Sequence, residues 1–258
     1  MSRRVLTIAV LLAVAGFAAA VVLPSRASAG STGTTSTTAA TTTTTRTPSA
    51  RTRIESVFPA AGQFTVHSVA IRKTPNPNSK VIKVLHDFRP DFRPQEILAV
   101  RKQVGSDGNV WYRVSIPMRP NGTYGWIPAS SVSLSPTAGQ IDIHLGSRTI
   151  DLFWHSKRVY HALVAIGAPG RETPIGHYFV AARFVPYHDT FLGVFAVETS
   201  AYSKLTEWPG GGVVGIHGTS LPQLLGQAVS HGCVRVANST AEKLKRYAPL
   251  GTPIWIKN

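Results

Sequence analysis

Three patterns of apolar and polar positions follow one another along the chain. Val5 to Leu23 is an unbroken apolar run. Residues 30–53 are almost entirely Thr, Ser, Ala and Gly, and from Ser56 onward short apolar runs alternate with turn signals. Between 56 and 135 the runs "FTVHSVAIRK", "KVIKVL", "EILAVRKQV", "VWYRVSI" and "YGWIPASSVSL" are separated by "TPNPNS", "GSDGN" and "PMRPNGT". Strands at short, regular spacing with Pro, Gly and Asn turns predict a small all-β barrel. Trp111, Tyr112 and Trp126 are either an exposed aromatic groove or part of that barrel's core. "SPTAG" at 135–139 marks a second boundary, and 139–258 again reads as strands: "QIDIHLGSRTIDLFW", "RVYHALVAIG", "HYFVAARFV", "LGVFAVETS" and "TPIWIKN". Two short helices are expected there. One starts at Thr219 or Ser220, has Pro222 in its first turn and ends at Gly226. The other starts at Ser239 with a Ser239–Glu242 capping pair and stops before Pro249. The expectation is a mainly β chain, a small barrel followed by a β-sandwich or barrel with two short helices.

The first segment bears on compartment. Arg3 and Arg4 precede the apolar run, and "ASA" at 27–29 supplies small residues for cleavage after Ala29, so residues 1–29 read as a signal peptide. The run is also long enough to stay as an uncleaved anchor, since about 20 apolar residues span a bilayer. Residues 30–55 have too little apolar surface to offset the entropy of ordering and read as a disordered linker. The expected location is the periplasm or cell wall, secreted or anchored by the N-terminal segment, with membrane contact only if that segment is retained. The net charge of +15 would suggest nucleic acid in a cytoplasmic protein. Outside the membrane it admits anionic wall polymers instead, and no nucleic-acid partner is expected. Hydrophobic content of 43% with only 15% charged residues suits a turn-rich β protein better than a helical bundle.

A single cysteine cannot form an internal disulfide, so in an exported protein the thiol is buried, paired with another chain, or reactive. Cys233 lies in "AVSHGCVRV" and His217 in "GIHGT", 16 residues upstream and flanked by glycines that permit close backbone approach. The attacking species of a thiol is the thiolate, and a histidine within reach can take the proton and return it to a leaving amine. The backbone N–H groups of His231, Gly232 and Cys233 could hold an oxyanion. Arg235 falls on the same side as Cys233 if the segment is extended, where it would lower the thiol pKa or bind a carboxylate. Two rival readings exist: a zinc site, which lacks a third and fourth ligand at short spacing, and an inert buried cysteine. His67, His144, His155, His161 and His177 sit singly and are expected on the surface or in hydrogen bonds. No cofactor and no metal is expected.

"IHGT" followed by "SHGCVRV" resembles the active-site signature of the L,D-transpeptidase family, whose catalytic domain is of the YkuD type. "TPIGHYFV" and "IDIHLGSRTIDLFW" resemble that family's upstream strand and opening hairpin, and the resemblance covers roughly 139–258. The order "AIRK", proline turn, "KVI", "WYRV", "GWIP", "SSVS" resembles bacterial SH3-like domains, which bind wall peptides or orient a neighbouring catalytic domain. The first resemblance implies a cysteine acyltransferase acting on peptidoglycan stem peptides. Cys233 would attack the carbonyl of the third residue of a tetrapeptide, terminal D-alanine would leave, and an amine of a neighbouring stem would resolve the thioester into a 3→3 cross-link. His217 would be the base. Arg235 would help bind substrate and Ser230 would orient the loop, and carbapenem sensitivity is implied as well. The same chemistry with water as acceptor gives an L,D-carboxypeptidase or hydrolase, and a further alternative is a wall-binding module. Some relatives have serine after the base histidine; here that position is Gly218, so a backbone carbonyl fixes the imidazole tautomer or nothing does. Within 183–212, Tyr187, His188 and Trp208 are candidates for a substrate-facing lid or for core packing.

Overall fold

The computed structural model describes residues 57–187, 190–207 and 209–258. The expected signal and linker segments, His188 and Trp208 lie outside the described residues. The first sheet is wholly antiparallel. It is built from β1 (Ala60–Phe64), β2 (Ser68–Arg72), β3 (Val81–His86), β4 (Glu96–Val104), β5 (Val110–Ser115), β6 (Tyr124–Pro128) and β7 (Val132–Pro136). The spatial order is β3-β2-β6-β5-β4-β1-β7. Ile71, Ile97, Val114 and Ile127 fill its core. Trp111, Tyr112 and Trp126 are all buried, so the aromatic groove is overturned in favour of core. Each polar or planar tip is accommodated locally: the Trp111 indole N–H donates to Asp107 Oδ1 at 3.0 Å, and the Arg101 guanidinium lies 5.2 Å from the Trp126 ring.

The second sheet comprises β8 (Gly139–His144), β9 (Thr149–Trp154), β10 (Lys157–Gly167), β11 (Gly176–Phe184), β12 (Ala196–Tyr202), β13 (Val213–His217), β14 (Ala228–Ser230), β15 (Val234–Val236) and β16 (Pro253–Lys257). The order β10-β15-β13-β12-β11-β16-β8-β9, with β9 pairing back to β10, closes eight strands into a barrel; β14 lies parallel to the end of β10. Closure leaves no free edge among the eight. Ile141, Ile150, Leu152, Val180 and Ile254 pack its interior.

One helix, α1 (Asn238–Tyr247), lies against the barrel and buries Ala241 and Leu244 in its core. It begins one residue before the expected Ser239. Ala237 stands at the cap and no side chain caps the first turn, so the Ser239–Glu242 box does not form. The second expected helix is only a 3-10 turn, Pro222–Leu224. Seven residues closed by Gly226 at φ +81° are too few to repay α-helix nucleation.

Both sheets belong to one compact unit. Ala61 and Leu98 of the first pack against Phe179 and Ala181 of the second. Asn121 clamps Tyr202 as a strand would: its Nδ2 donates to Tyr202 O at 2.7 Å and its Oδ1 accepts the Tyr202 N–H at 2.9 Å. Phe179 is fully buried in this joint, so Phe179→Ala is expected to lower the unfolding free energy by about 3–5 kcal/mol, measured by urea titration of the full chain. A cost below about 1 kcal/mol would show that the joint contributes little.

Candidate active site

The site is set by strand register. β13 and β15 run parallel, with Ile216 opposite Val234 and His217 opposite Arg235. Side chains alternate along a strand, so Ile216 and Val234 enter the barrel core while Gly215, His217 and Arg235 share the outer face. Cys233, one residue before β15, joins them there. The Gly215 N–H donates to Cys233 Sγ at 3.3 Å. A Cβ on Gly215 would stand 3.7 Å from His217 Cδ2 and 3.8 Å from Cys233 Sγ. The missing side chain is therefore what leaves the ground between imidazole and thiol open.

The tautomer of His217 follows from its partner. Nδ1 lies 2.6 Å from Gly218 O, and a carbonyl only accepts, so Nδ1 carries the proton and Nε2 is the basic nitrogen. The backbone carbonyl that the glycine at 218 called for is thus present. Gly218 is held in turn. Its N–H donates to Phe195 O at 3.1 Å, and a Cβ there would meet Asn238 Oδ1 at 2.3 Å and Gly193 Cα at 3.0 Å. Asn238 Oδ1 accepts the Val194 N–H at 3.2 Å. The first residue of α1 therefore braces the turn that orients the imidazole, a role with no signal in its sequence context, one residue before the expected helix start.

The loop before the thiol is tied from two sides. Ser230 Oγ donates to Cys233 O at 2.6 Å and accepts the Gly232 N–H at 3.1 Å. Ser230 Oγ thus ties both ends of the loop, and the Gly232 N–H, counted among the expected oxyanion donors, is engaged by it. Gly232 is required by shape: its φ is +116° and a Cβ would lie 2.9 Å from Ser203 Cβ. Buried Thr173 donates to Gly232 O at 2.9 Å and accepts the Gly167 N–H at 2.9 Å. "TPIG" carried the family resemblance, but nothing in its spacing pointed to this clamp. His231 Nε2 accepts from the Arg171 guanidinium, which fixes a neutral ring. Burial, Arg171 and Arg235 all push its pKa down.

Electrostatics at the thiol pull both ways. Burial pushes the Cys233 pKa up; the Gly215 N–H and the Arg235 charge pull it back only in part. Arg235 is itself buried and its Nε has no hydrogen-bond partner among the described residues. Its guanidinium lies 4.6 Å from the Phe191 ring, whose centroid is 6.0 Å from that of His217. Phe191 is thus a described member of segment 183–212 that lies over the imidazole. Tyr187 is 87% exposed. A cleft of about 440 Å³ is walled by Phe184, Phe191, Val197, Glu198 and Val213 around Cys233 and His217. Arg89 and Asp91, from the loop after β3, also line it. Elsewhere, His144 and His161 both bond Asp151, at 3.1 and 2.8 Å, consistent with the hydrogen-bonding role expected of the isolated histidines.

Residues 138–256 match the family model of the L,D-transpeptidase catalytic domain, YkuD. Among curated proteins, a Bacillus subtilis (strain 168) YkuD protein, itself only provisionally named an L,D-transpeptidase, is 28% identical over 116 residues, covering 45% of this chain. A provisionally named YkuD protein of Bacillus licheniformis is 29% identical over 117 residues. The chain spans 64% of the length of each of these relatives. Among solved structures, an L,D-transpeptidase from Mycobacterium tuberculosis H37Rv is 13% identical with a TM-score of 0.43, covering 77% of this chain and 98% of that one. One from Mycobacterium smegmatis is 15% identical with a TM-score of 0.41, covering 58% and 90%.

Two outcomes follow from the geometry. Since burial outweighs the cation, the rate of Cys233 alkylation by iodoacetamide should rise with pH through a midpoint above that of free cysteine measured alongside. Arg235→Met, which removes the charge favouring thiolate, should move that midpoint further up; a midpoint below free cysteine would show that the cation dominates. Gly218→Ser should destabilise the fold by about 1–3 kcal/mol through overpacking against Asn238, and Asn238→Gly in the same chain should restore part of it. Strict additivity in urea unfolding would show that the two positions do not press on one another.

Proposed function

We propose that this chain is a peptidoglycan L,D-transpeptidase, an acyltransferase with Cys233 as nucleophile and His217 as base. The observation that carries the reading is the shared outer face of β13 and β15. There a thiol and an imidazole whose Nδ1 donates to Gly218 O, leaving Nε2 as the position for a base, flank a glycine in one cleft. A thiol whose pKa is raised by burial is protonated at rest, so the base must act during attack. Cys233 gives its proton to His217 Nε2 as sulfur adds to the carbonyl of the third stem residue. The N–H groups of His231 and Cys233 receive the developing oxyanion, and a single such donor is worth roughly 10²–10³ in rate. His217 then protonates the departing D-alanine amine, leaving a thioester. An amine of a second stem adds to it, the C–S bond breaks and a 3→3 cross-link forms. Arg235, buried with an unmet donor, would bind a substrate carboxylate or carbonyl and hold the cleft face through Phe191.

In this reading the chain is exported by its N-terminal segment and works at the cell wall. The threonine-rich stretch serves as a spacer, and the first sheet serves as an SH3-like neighbour of the catalytic domain. The test is incubation with purified disaccharide-tetrapeptide, followed by mass spectrometry of the products, with Cys233→Ala alongside. A dimer that has lost one D-alanine is the expected product, absent with the alanine variant. Tripeptide alone would replace transfer by hydrolysis, and equal turnover by Cys233→Ala would end the cysteine mechanism.

A further inference from the structure

The cleft that holds the thiol is not made by the catalytic barrel alone. The loop joining β3 to β4 crosses to it, and Arg89 and Asp91 line the same space as Cys233 and His217. The crossing is fixed by one carboxylate on β12. Glu198 Oε2 takes Arg89 Nη2 at 2.5 Å and its Oε1 takes Arg93 Nη2 at 2.9 Å. Arg89 Nη1 also donates to Ala181 O on β11 at 3.4 Å. The Arg89 and Glu198 side chains are only 18% and 23% exposed, so this pair is less screened than a surface bridge.

Between the two arginines stands Asp91. Its Oδ2 accepts from Arg93 Nε at 3.0 Å and Nη2 at 2.5 Å and lies 3.3 Å from Arg89 Nη2; its Oδ1 accepts the Arg93 backbone N–H at 3.2 Å. The side chain is 38% exposed. Burial pushes its pKa up, but the Arg93 hydrogen bonds and the two guanidinium charges outweigh that and keep it ionised. Glu198 has both oxygens engaged by arginine, whereas Asp91, which lines the cleft, receives a single weak bond at Oδ1 and retains accepting capacity there. In a chain with 27 Lys and Arg against 12 Asp and Glu, an anchored, ionised carboxylate lining the cleft that holds Cys233 is a receptor for a cation.

Resting on the acyl-transfer reading above, we propose that the β3–β4 loop is the acceptor-selecting wall of the cleft, with Asp91 receiving the ammonium end of the incoming amine. A thioester can be resolved by water or by an amine, and water is always in excess. A transferase must therefore raise the local concentration of the amine. Asp91 draws in R–NH3⁺, which loses one proton to solvent before reacting. The amine lone pair then forms the C–N bond, the C–S bond breaks, and the second amine proton passes through His217 to the departing sulfur, regenerating the thiol. Arg89 and Arg93 are positioning residues, acting by holding the carboxylate charged and in place.

The partition between the two fates of the thioester tests this. Full-length wild-type, Asp91→Asn and Asp91→Glu proteins are incubated with disaccharide-tetrapeptide, and the ratio of dimer to tripeptide is read by mass spectrometry. Parallel reactions supply hydroxylamine, uncharged at neutral pH, as acceptor, and iodoacetamide reports the thiol. Asp91→Asn should lower the dimer-to-tripeptide ratio about two- to fivefold, the size of a partly exposed ion pair. Hydroxylamine partition and alkylation rate should stay unchanged, and Asp91→Glu should recover most of the ratio. Dimer formed by wild type at a ratio that Asp91→Asn leaves unaltered would overturn the acceptor role while transfer stands. An equal fall with hydroxylamine would overturn it too, showing a general disturbance of the cleft. Wild type that yields tripeptide alone would overturn the transfer reading, and the acceptor role with it.

Discussion

The parallel pairing of β13 with β15 governs what the outer face of this barrel can do. Parallel register brings residues two apart on each strand onto one side, so one choice places Ile216 and Val234 in the core and Gly215, His217 and Arg235 outside. A slip of one residue would turn the imidazole and the guanidinium into the barrel interior and two core side chains out of it. The apolar demand of the interior therefore fixes the polar arrangement outside. The Ser230 and Thr173 hydroxyls then complete the placement of Cys233 by holding the loop that delivers it.

Charge and burial are in tension around the thiol. Arg235 favours the thiolate, yet both groups are taken out of water, and burial opposes charge on each of them. The packing of Arg235 over Phe191 softens this for the guanidinium, which is weakly hydrated and stacks readily on aromatic faces. The first sheet contributes the same kind of arrangement on the opposite wall, where Arg89, Arg93, Asp91 and Glu198 compensate one another between two sheets.

Much of the barrel was legible because it is local. Alternating apolar runs and turn dipeptides marked the strands, and "IHGT" with "SHGCVRV" marked the thiol and its histidine. What depended on distant neighbours was not. Asn238 stood just before the expected helix start at Ser239 and drew no notice, yet its side chain belongs to the turn at 193–194 and the glycine at 218. Thr173 sat in a family-like motif with no sign that it would hold Gly232 O. Phe191 was one aromatic among several in its segment, and only the fold distinguishes it from Tyr187. Arg89 and Asp91 lie more than a hundred residues before the thiol, where no spacing argument reaches. The glycine at 232 looked like an oxyanion donor because it sits in a run of backbone N–H groups around the thiol; the Ser230 hydroxyl two residues away claims its N–H instead.

The protonated resting state of Cys233 has a consequence outside the reaction itself. Oxidation to sulfenic acid and capture by foreign disulfides both proceed through the thiolate. A chain with one cysteine has no neighbouring thiol of its own with which to resolve such damage. By keeping sulfur in its neutral form, burial slows both kinds of damage. The feature that slows the nucleophile at rest is the one that preserves it.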